Sequence, residues 1–411
     1  MPTPLRHRPT PRSLLATLGA LALGLLLIAA VLVGVGGLPG PRPGPPPTAT
    51  PTNSTAVAPL RLISRGVPVR VSSGQDTAAY LVDGQWRTWE AWRPVTPTPA
   101  APQWLALDLG AGPQTILLEW NAGNNTNYDE TRYGGLGSYV VETSADSTDG
   151  ADGSWLRVAD VPTNTVRTRT HLLPFAGRRW VRLTITALPP AADTVALDEV
   201  AVYDASAGLA ESWVFLGDSI TALAFDRAPA RSPSFADLIH QAAPGSDPVV
   251  IDAGVSGETS LAGLARLDTV LARHPEFHYW VLAYGTNDVT SDPAAVHASE
   301  YAARMGAMAA RIRAAGHVPV LAPIPFSRDP NRAVIPQYNA ALATLAAAQN
   351  VALGPDLYAY FAAHPDELSA DGVHPSDAGS RAIARLWADW RLRFRGQGSG
   401  IQTAAPIVPG P

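Results

Sequence analysis

Between Glu211 and Phe394 short apolar runs alternate with Ala-rich helical stretches: WVFLG, VVIDAG, YWVLAYG, VPVLAP and VALGP are separated by segments such as SEYAARMGAMAARIRAAG. Runs that are apolar throughout suit strands covered on both faces, and parallel neighbours need a crossover long enough to hold a helix. The alternation predicts a parallel sheet with helical crossovers, a three-layer α/β/α domain over residues 211–395. Upstream the rhythm is different. From about Leu60 to Ser206 the runs VPVRVSS, QWLALDLG, TILLEW, SYVVETS, WLRVADV, WVRLTIT and VALDEVAVY are short and separated by Gly, Asp, Asn and Pro clusters, which predicts an all-β sandwich over 61–206. A chain of 411 residues has room for both.

The remaining segments are not domain-like. Arg6, Arg8 and Arg12 form a basic stretch over residues 1–12, ahead of an apolar run from Leu14 to Val35. That run is long enough to span a bilayer, for which about 20 residues are needed. It exceeds the about 7 to 15 apolar residues usual for a cleaved signal peptide. Residues 13–36 are therefore expected to be a transmembrane anchor, with secretion after cleavage near Gly34, Gly36 and Gly37 as the alternative. Arginines retained on the cytoplasmic side leave the rest of the chain outside the cytoplasm, and both readings export it. The Pro-rich linker at 37–60 has too little apolar surface to pack and is expected to act as a semi-rigid stalk. The tail at 396–411 is expected to be disordered.

Composition excludes some chemistry. With no cysteine, disulfides, thiolate catalysis and Cys-based metal sites are ruled out. A net charge of -5 with 16% charged residues gives no reason to expect a nucleic-acid partner.

Four blocks in the second domain carry reactive side chains. WVFLG runs into Gly217-Asp218-Ser219, VVIDAG into Val255-Ser256-Gly257-Glu258-Thr259, and YWVLAYG into Gly285-Thr286-Asn287-Asp288. Each stands just beyond the carboxyl end of a strand, the edge at which open α/β sheets bind ligands. The fourth block is Ser369-Ala370-Asp371-Gly372-Val373-His374-Pro375. Asp and His three apart on a loop can bring the carboxylate to one imidazole nitrogen while the other faces a distant serine. Taken singly each block has a plainer reading: a G-D-S turn or helix cap, an ordinary strand-to-helix loop, a capping Asn.

Together and in this order the blocks resemble the SGNH or GDSL hydrolase family across nearly all of residues 211 to 394. The resemblance implies a flavodoxin-like three-layer fold and a serine esterase working through an acyl-enzyme, with no cofactor for catalysis. It implies Ser219 as nucleophile, His374 as base and Asp371 as its orienting acid. The oxyanion hole would comprise the Ser219 and Gly257 amides and the Asn287 side chain. Asp252 departs from the pattern, because many members carry Asn there. A second D-x-x-H, Asp237 with His240, lies in the helical segment SPSFADLIHQAA and is read as a pairing on one helix face. The surroundings of Ser219 do not match the G-x-S-x-G of α/β-hydrolases.

The first domain resembles the discoidin, or coagulation-factor type C, group of galactose-binding-like sandwiches, a jelly-roll-like architecture. The resemblance rests on Ala79–Gly84 with Thr88-Trp89, Gln103–Gly110, Tyr139–Ser144, Arg179–Leu183 and Glu199–Tyr203. It implies a carbohydrate-binding module, with Trp86, Trp92, Tyr128 and Tyr133 as candidates for stacking on a sugar and Trp89, Trp104 and Trp180 as core. It also implies a structural calcium, for which Asp83 and Glu199 are candidate ligands. The combined expectation is an exported esterase removing short acyl groups, such as acetyl, from a glycan or cell-envelope polysaccharide. The alternatives are a lipase or lysophospholipase acting on lipids, and a surface adhesion protein with a non-catalytic hydrolase fold.

Overall fold

The computed structural model describes residues 59–86, 90–122, 127–225, 232–290 and 294–394, all within the compact unit Asn53–Pro411. The basic stretch, the expected membrane segment at 13–36, the linker up to residue 58 and the tail lie outside the described residues. Among the described residues no helix is long and apolar enough to cross a membrane.

The N-terminal region is built from β1 (Arg61–Leu62), β2 (Val69–Val71), β3 (Gln103–Asp108), β4 (Thr115–Ala122), β5 (Ser138–Ser144), β6 (Trp155–Val161), β7 (Thr168–Pro174), β8 (Trp180–Ala187) and β9 (Leu197–Asp204). They form two sheets, ordered β1-β9-β4-β7 and β2-β3-β8-β5-β6. Ile116, Leu118 and Trp120 of β4 and Val200 and Val202 of β9 point inward to meet Leu105, Leu107, Val141, Leu183 and Ile185 of the opposite sheet. Side chains alternate across a strand, so Leu117, Ala201 and Tyr203 face the other way. A sandwich ordinarily leaves that outer face wet. Here those three side chains are buried in a cluster with Val214, Leu216 and Ile251 of the second domain.

The second domain has a five-stranded parallel sheet of β10 (Ser212–Gly217), β11 (Val249–Gly254), β12 (Tyr279–Ala283), β13 (Val318–Leu321) and β14 (Ala352–Leu353). The order is β11-β10-β12-β13-β14, which is 2-1-3-4-5 counted within the domain. Both faces are covered. Val214 and Leu216 of β10 pack beneath α3 (Ser260–Arg273), α4 (Ala294–Ala314) and α5 (Ile335–Gln349), through side chains such as Leu267, Met308 and Leu342. Trp213 and Phe215 pack on the opposite side against α1 (Ser219–Ala224), α2 (Phe235–Ala242), α6 (Leu357–Ala363) and α7 (Asp377–Phe394), through Ala224, Ile239, Phe361 and Trp387. The three layers follow from one strand being apolar on both sides.

Candidate active site

The strand order reverses between β10 and β12, and at such a switch point neighbouring crossovers leave on opposite faces and open a crevice. Ser219 stands beside it, as the first residue of α1, two residues past the end of β10. The Asp218 carboxylate caps that helix, accepting from the Ile220 amide at 2.9 Å. Gly254, at the end of the neighbouring strand, lets α1 come close, because a β-carbon there would collide with the Ala222 backbone.

The structure brings Ser219, His374 and Asp371 into one hydrogen-bonded line. Ser219 Oγ is 2.8 Å from His374 Nε2, and His374 Nδ1 is 2.6 Å from Asp371 Oδ2. Burial works against the charge on Asp371, but bonds from His374, the Val373 amide, the Ser369 hydroxyl and the His374 amide outweigh it. They hold the carboxyl well below the usual carboxylate range. An ionised carboxylate only accepts, so the proton sits on Nδ1, Nε2 is left as an acceptor, and the serine hydroxyl donates to it. The loop carrying the pair is itself tethered. The Arg328 guanidinium donates to Ser369 O at 2.6 Å, and the Arg328 amide and Ser327 hydroxyl both donate to Gly372 O at 2.8 Å. No sequence signal marked Ser327 or Arg328, which lie more than forty positions upstream.

Residues 255–258 form a tight turn in which the Glu258 amide donates to Val255 O at 3.2 Å. Gly257 sits in it with φ +80°, a value that glycine adopts without strain. The entry to the turn is tied to β10, the strand ahead of Ser219, by Val255 N donating to Gly217 O at 3.0 Å. Its exit is tied to the third block, where Asn287 Nδ2 donates to Glu258 O at 2.9 Å. Asp288 joins the same two loops by accepting from the Ser260 amide and hydroxyl at 2.8 and 2.5 Å.

Asp218 is buried behind the serine. Burial pushes its carboxyl up to about 7, against lowering by the Ile220 amide, Thr286 and His374. Beside it lies a cavity of about 20 Å³ bordered by Ile220, Phe225, Thr286, Ile324 and Trp387, room for a water and not for a chain.

Other expected sites are corrected. Trp86, Trp92 and Tyr128 are 1%, 0% and 1% exposed and offer no ring face to a sugar. Trp92 belongs to the inter-sheet core and donates Nε1–H to Ser73 O at 2.9 Å, and the Tyr128 hydroxyl bonds His274 Nε2 at 2.8 Å. Only Tyr133 of the four is exposed, with the Arg132 guanidinium 4.6 Å from its ring centre. Of the expected core tryptophans, Trp180 is buried, Trp104 half-buried, and Trp89 lies outside the described residues.

Asp83 and Glu199 do not fit a calcium ion. Glu199 is engaged by the Gly84 amide at 2.8 Å and by Arg65 at 3.7 Å, while Asp83 accepts from the Gln85 amide. A guanidinium beside the carboxylate occupies the electrostatic place of a cation. Among the described residues no group of three or more His, Asp or Glu side chains is placed to hold a metal. The second D-x-x-H is taken up structurally: Asp237 closes a capping box with Ser234, and His240 pairs with Asp247 at 2.6 Å.

Residues 215–382 match the model of the GDSL-like lipase/acylhydrolase family. Over 182 residues the chain is 29% identical to esterase TesA of Pseudomonas aeruginosa, covering 43% of this chain and 87% of that protein. Among solved structures it is similar to the lipase/acylhydrolase from Enterococcus faecalis, with 27% identity over 45% of this chain and 96% of that one and a TM-score of 0.37. It is also similar to a catalytic mutant of Axe2, an acetylxylan esterase from Geobacillus stearothermophilus, with 25% identity over 46% and 95% of the chains and a TM-score of 0.38. The family match runs from the strand ahead of Ser219 through the Asp371–His374 loop, so the C-terminal domain is similar to the GDSL-like lipase/acylhydrolase family, and the protein is an ester hydrolase.

Proposed function

We propose that Ser219 is the nucleophile of this hydrolase, His374 its base and Asp371 the group that orients the base. The observation that carries the reading is the unbroken line from Ser219 Oγ through His374 to Asp371, at 2.8 and 2.6 Å. A serine hydroxyl is a weak nucleophile until its proton is removed, and imidazole is suited to take it. As Ser219 Oγ attacks the ester carbonyl carbon, its proton passes to Nε2, and Asp371 stabilises the imidazolium. The tetrahedral oxygen takes its negative charge toward the Ser219 and Gly257 amides and Asn287 Nδ2. Collapse breaks the bond to the alcohol, which leaves with the proton from His374. Water, deprotonated by the same nitrogen, then attacks the acyl-enzyme and releases the acid.

The substrate we propose is a short-chain ester, acetyl in the first instance, on a glycan or envelope polysaccharide outside the cytoplasm. The basic and apolar N-terminal sequence supports export. Of the four aromatic candidates for a glycan contact through the sandwich, Tyr133 is the one whose exposure supports it.

The test is hydrolysis of p-nitrophenyl esters of graded length and of acetylated oligosaccharides, with Ser219→Ala as blank and fluorophosphonate labelling of both proteins. Activity that falls with chain length and labelling that vanishes in Ser219→Ala are expected. Preference for long acyl chains would mark a lipid acylhydrolase instead, and an unlabelled wild type would remove the nucleophile assignment.

A further inference from the structure

The turn that carries Gly257 is held by more than its own domain. The Ser256 amide donates to the side-chain oxygen of Asn127, which belongs to the sandwich, at 2.8 Å. The next sandwich residue, Tyr128, donates its amide to Gly254 O at 3.0 Å. Thus the entering arm of the turn is gripped by two consecutive residues of the other domain, and the leaving arm by Asn287.

The grip bears on the reaction because of which peptide the turn leaves free. In a four-residue turn over Val255–Glu258, the Ser256–Gly257 peptide is the central one, and it carries the Gly257 N–H. Turns with the same closing bond, here Glu258 N to Val255 O, come in two types that differ by a flip of that central peptide. A φ of +80° at Gly257 is that of the third residue in the type that requires a positive φ there. The closing bond alone therefore does not fix where the Gly257 N–H points. The positive φ of Gly257 sets the direction of its N–H within the turn, while the arms set where the turn stands beside Ser219, and the entering arm is held by Asn127.

We propose that Asn127 is a positioning residue for ester hydrolysis: by holding the Ser256 amide it sets the plane from which the Gly257 N–H is aimed at the tetrahedral oxygen. The sandwich thereby completes the catalytic site. This rests on the nucleophile and oxyanion-hole reading above. Asn127 touches neither the serine nor the reacting atoms, so its loss weakens transition-state binding without removing a reacting group.

The experiment compares wild type, Asn127→Ala, Asn127→Leu and Asn127→Asp in the full chain, by steady-state kinetics on a p-nitrophenyl acetate series and by thermal melts. Outright loss of one oxyanion donor costs about 10²- to 10³-fold, so a misaimed donor is expected to lower kcat about 10-fold in Ala and Leu. KM is expected to stay within about twofold, since the bond acts on the transition state and not on ground-state binding. Asn127→Asp retains an acceptor for the Ser256 amide and is expected to keep more of the wild-type kcat than either. Wild-type kcat in Ala and Leu, a loss shared equally by Asp, or a loss that tracks a fall in Tm would each overturn the proposal. Fluorophosphonate labelling of the wild type, absent in Ser219→Ala, is the separate arm. If the wild type is not labelled, the hydrolytic reading itself has failed; if it is labelled and the Asn127 variants match it, only the positioning role has.

Discussion

Arg167 Nη2 lies 3.0 Å from Asp252 Oδ2 across the junction of the sandwich and the parallel sheet, with side chains 1% and 2% exposed. The guanidinium also reaches Asp252 O and Asn121 Oδ1, each at 3.3 Å, while Asp252 Oδ1 accepts from the Gly254 amide at 2.9 Å. This accounts for an acid at a position where the family resemblance leads one to expect Asn. The carboxylate is buried opposite a cation supplied by the other domain.

Removing one member of that pair strands the other in a dry interface. Arg167→Ala is expected to cost about 3–5 kcal/mol of stability, read from urea or thermal unfolding. Arg167→Leu combined with Asp252→Asn takes away both charges and should recover much of the loss. A double variant no more stable than Arg167→Ala would sink the electrostatic account.

His274 gives the interface a pH dependence. It is fully buried, bonded to Tyr128 Oη at 2.8 Å and Thr170 Oγ1 at 3.0 Å. Burial, then the positive charges of Arg273, Arg169 and His171, lower its pKa from 6.5 to about 3. The unfolded chain takes up this proton near pH 6.5 and the folded chain only near 3, so stability falls as pH drops through that window. The slope from this group approaches about 1.4 kcal/mol per pH unit. Melting between pH 7 and 4 should show a steeper acid loss in wild type than in His274→Gln.

Asp218 acts in the opposite direction. Its folded pKa of about 7 stands above the ordinary carboxyl value of 3.8, so the folded state holds the proton more tightly and stability declines as pH rises between those values. Asp218→Asn retains a cap for α1 and lacks the titration. Its Tm relative to wild type is expected to rise from pH 4 to pH 7; a constant difference would show that the carboxyl does not carry the charge penalty.

Asp371→Asn should lower kcat by about 10³- to 10⁴-fold, because an amide no longer fixes the imidazole tautomer or stabilises the imidazolium. The depressed pKa keeps Asp371 ionised through the mildly acidic range, so an acid limb in the wild-type rate between pH 4 and 6 belongs to another group. Rate profiles of wild type and variant over that range check both statements.

Much of the site was legible before any coordinates. The blocks holding Ser219, Gly257, Asn287 and the Asp371–His374 loop are each only a few residues long, and strand periodicity put the first three at carboxyl ends. The sugar-binding reading failed for Trp86, Trp92 and Tyr128, because an aromatic in an irregular segment gives no sign of which side its ring faces. Asn127, Arg167 and Arg328 were not marked at all. Their partners Ser256, Asp252 and Ser369 are 129, 85 and 41 positions away, and such pairings leave no periodicity to read.

The sequence by itself determined the two domain types and which loops carry the candidate reactive groups, since apolar spacing sets strand and helix locally and the motif order sets which loops share an edge. Only the tertiary structure decided that the two domains work as one body. β4 and β9 carry apolar residues on both faces, and the cover for Leu117, Ala201 and Tyr203 is a surface of the other domain. Burying that face brought Asn127, Tyr128 and Arg167 against β11 and the turn that follows it beside Ser219, because a packed sheet face fixes the position of the loops at its rim.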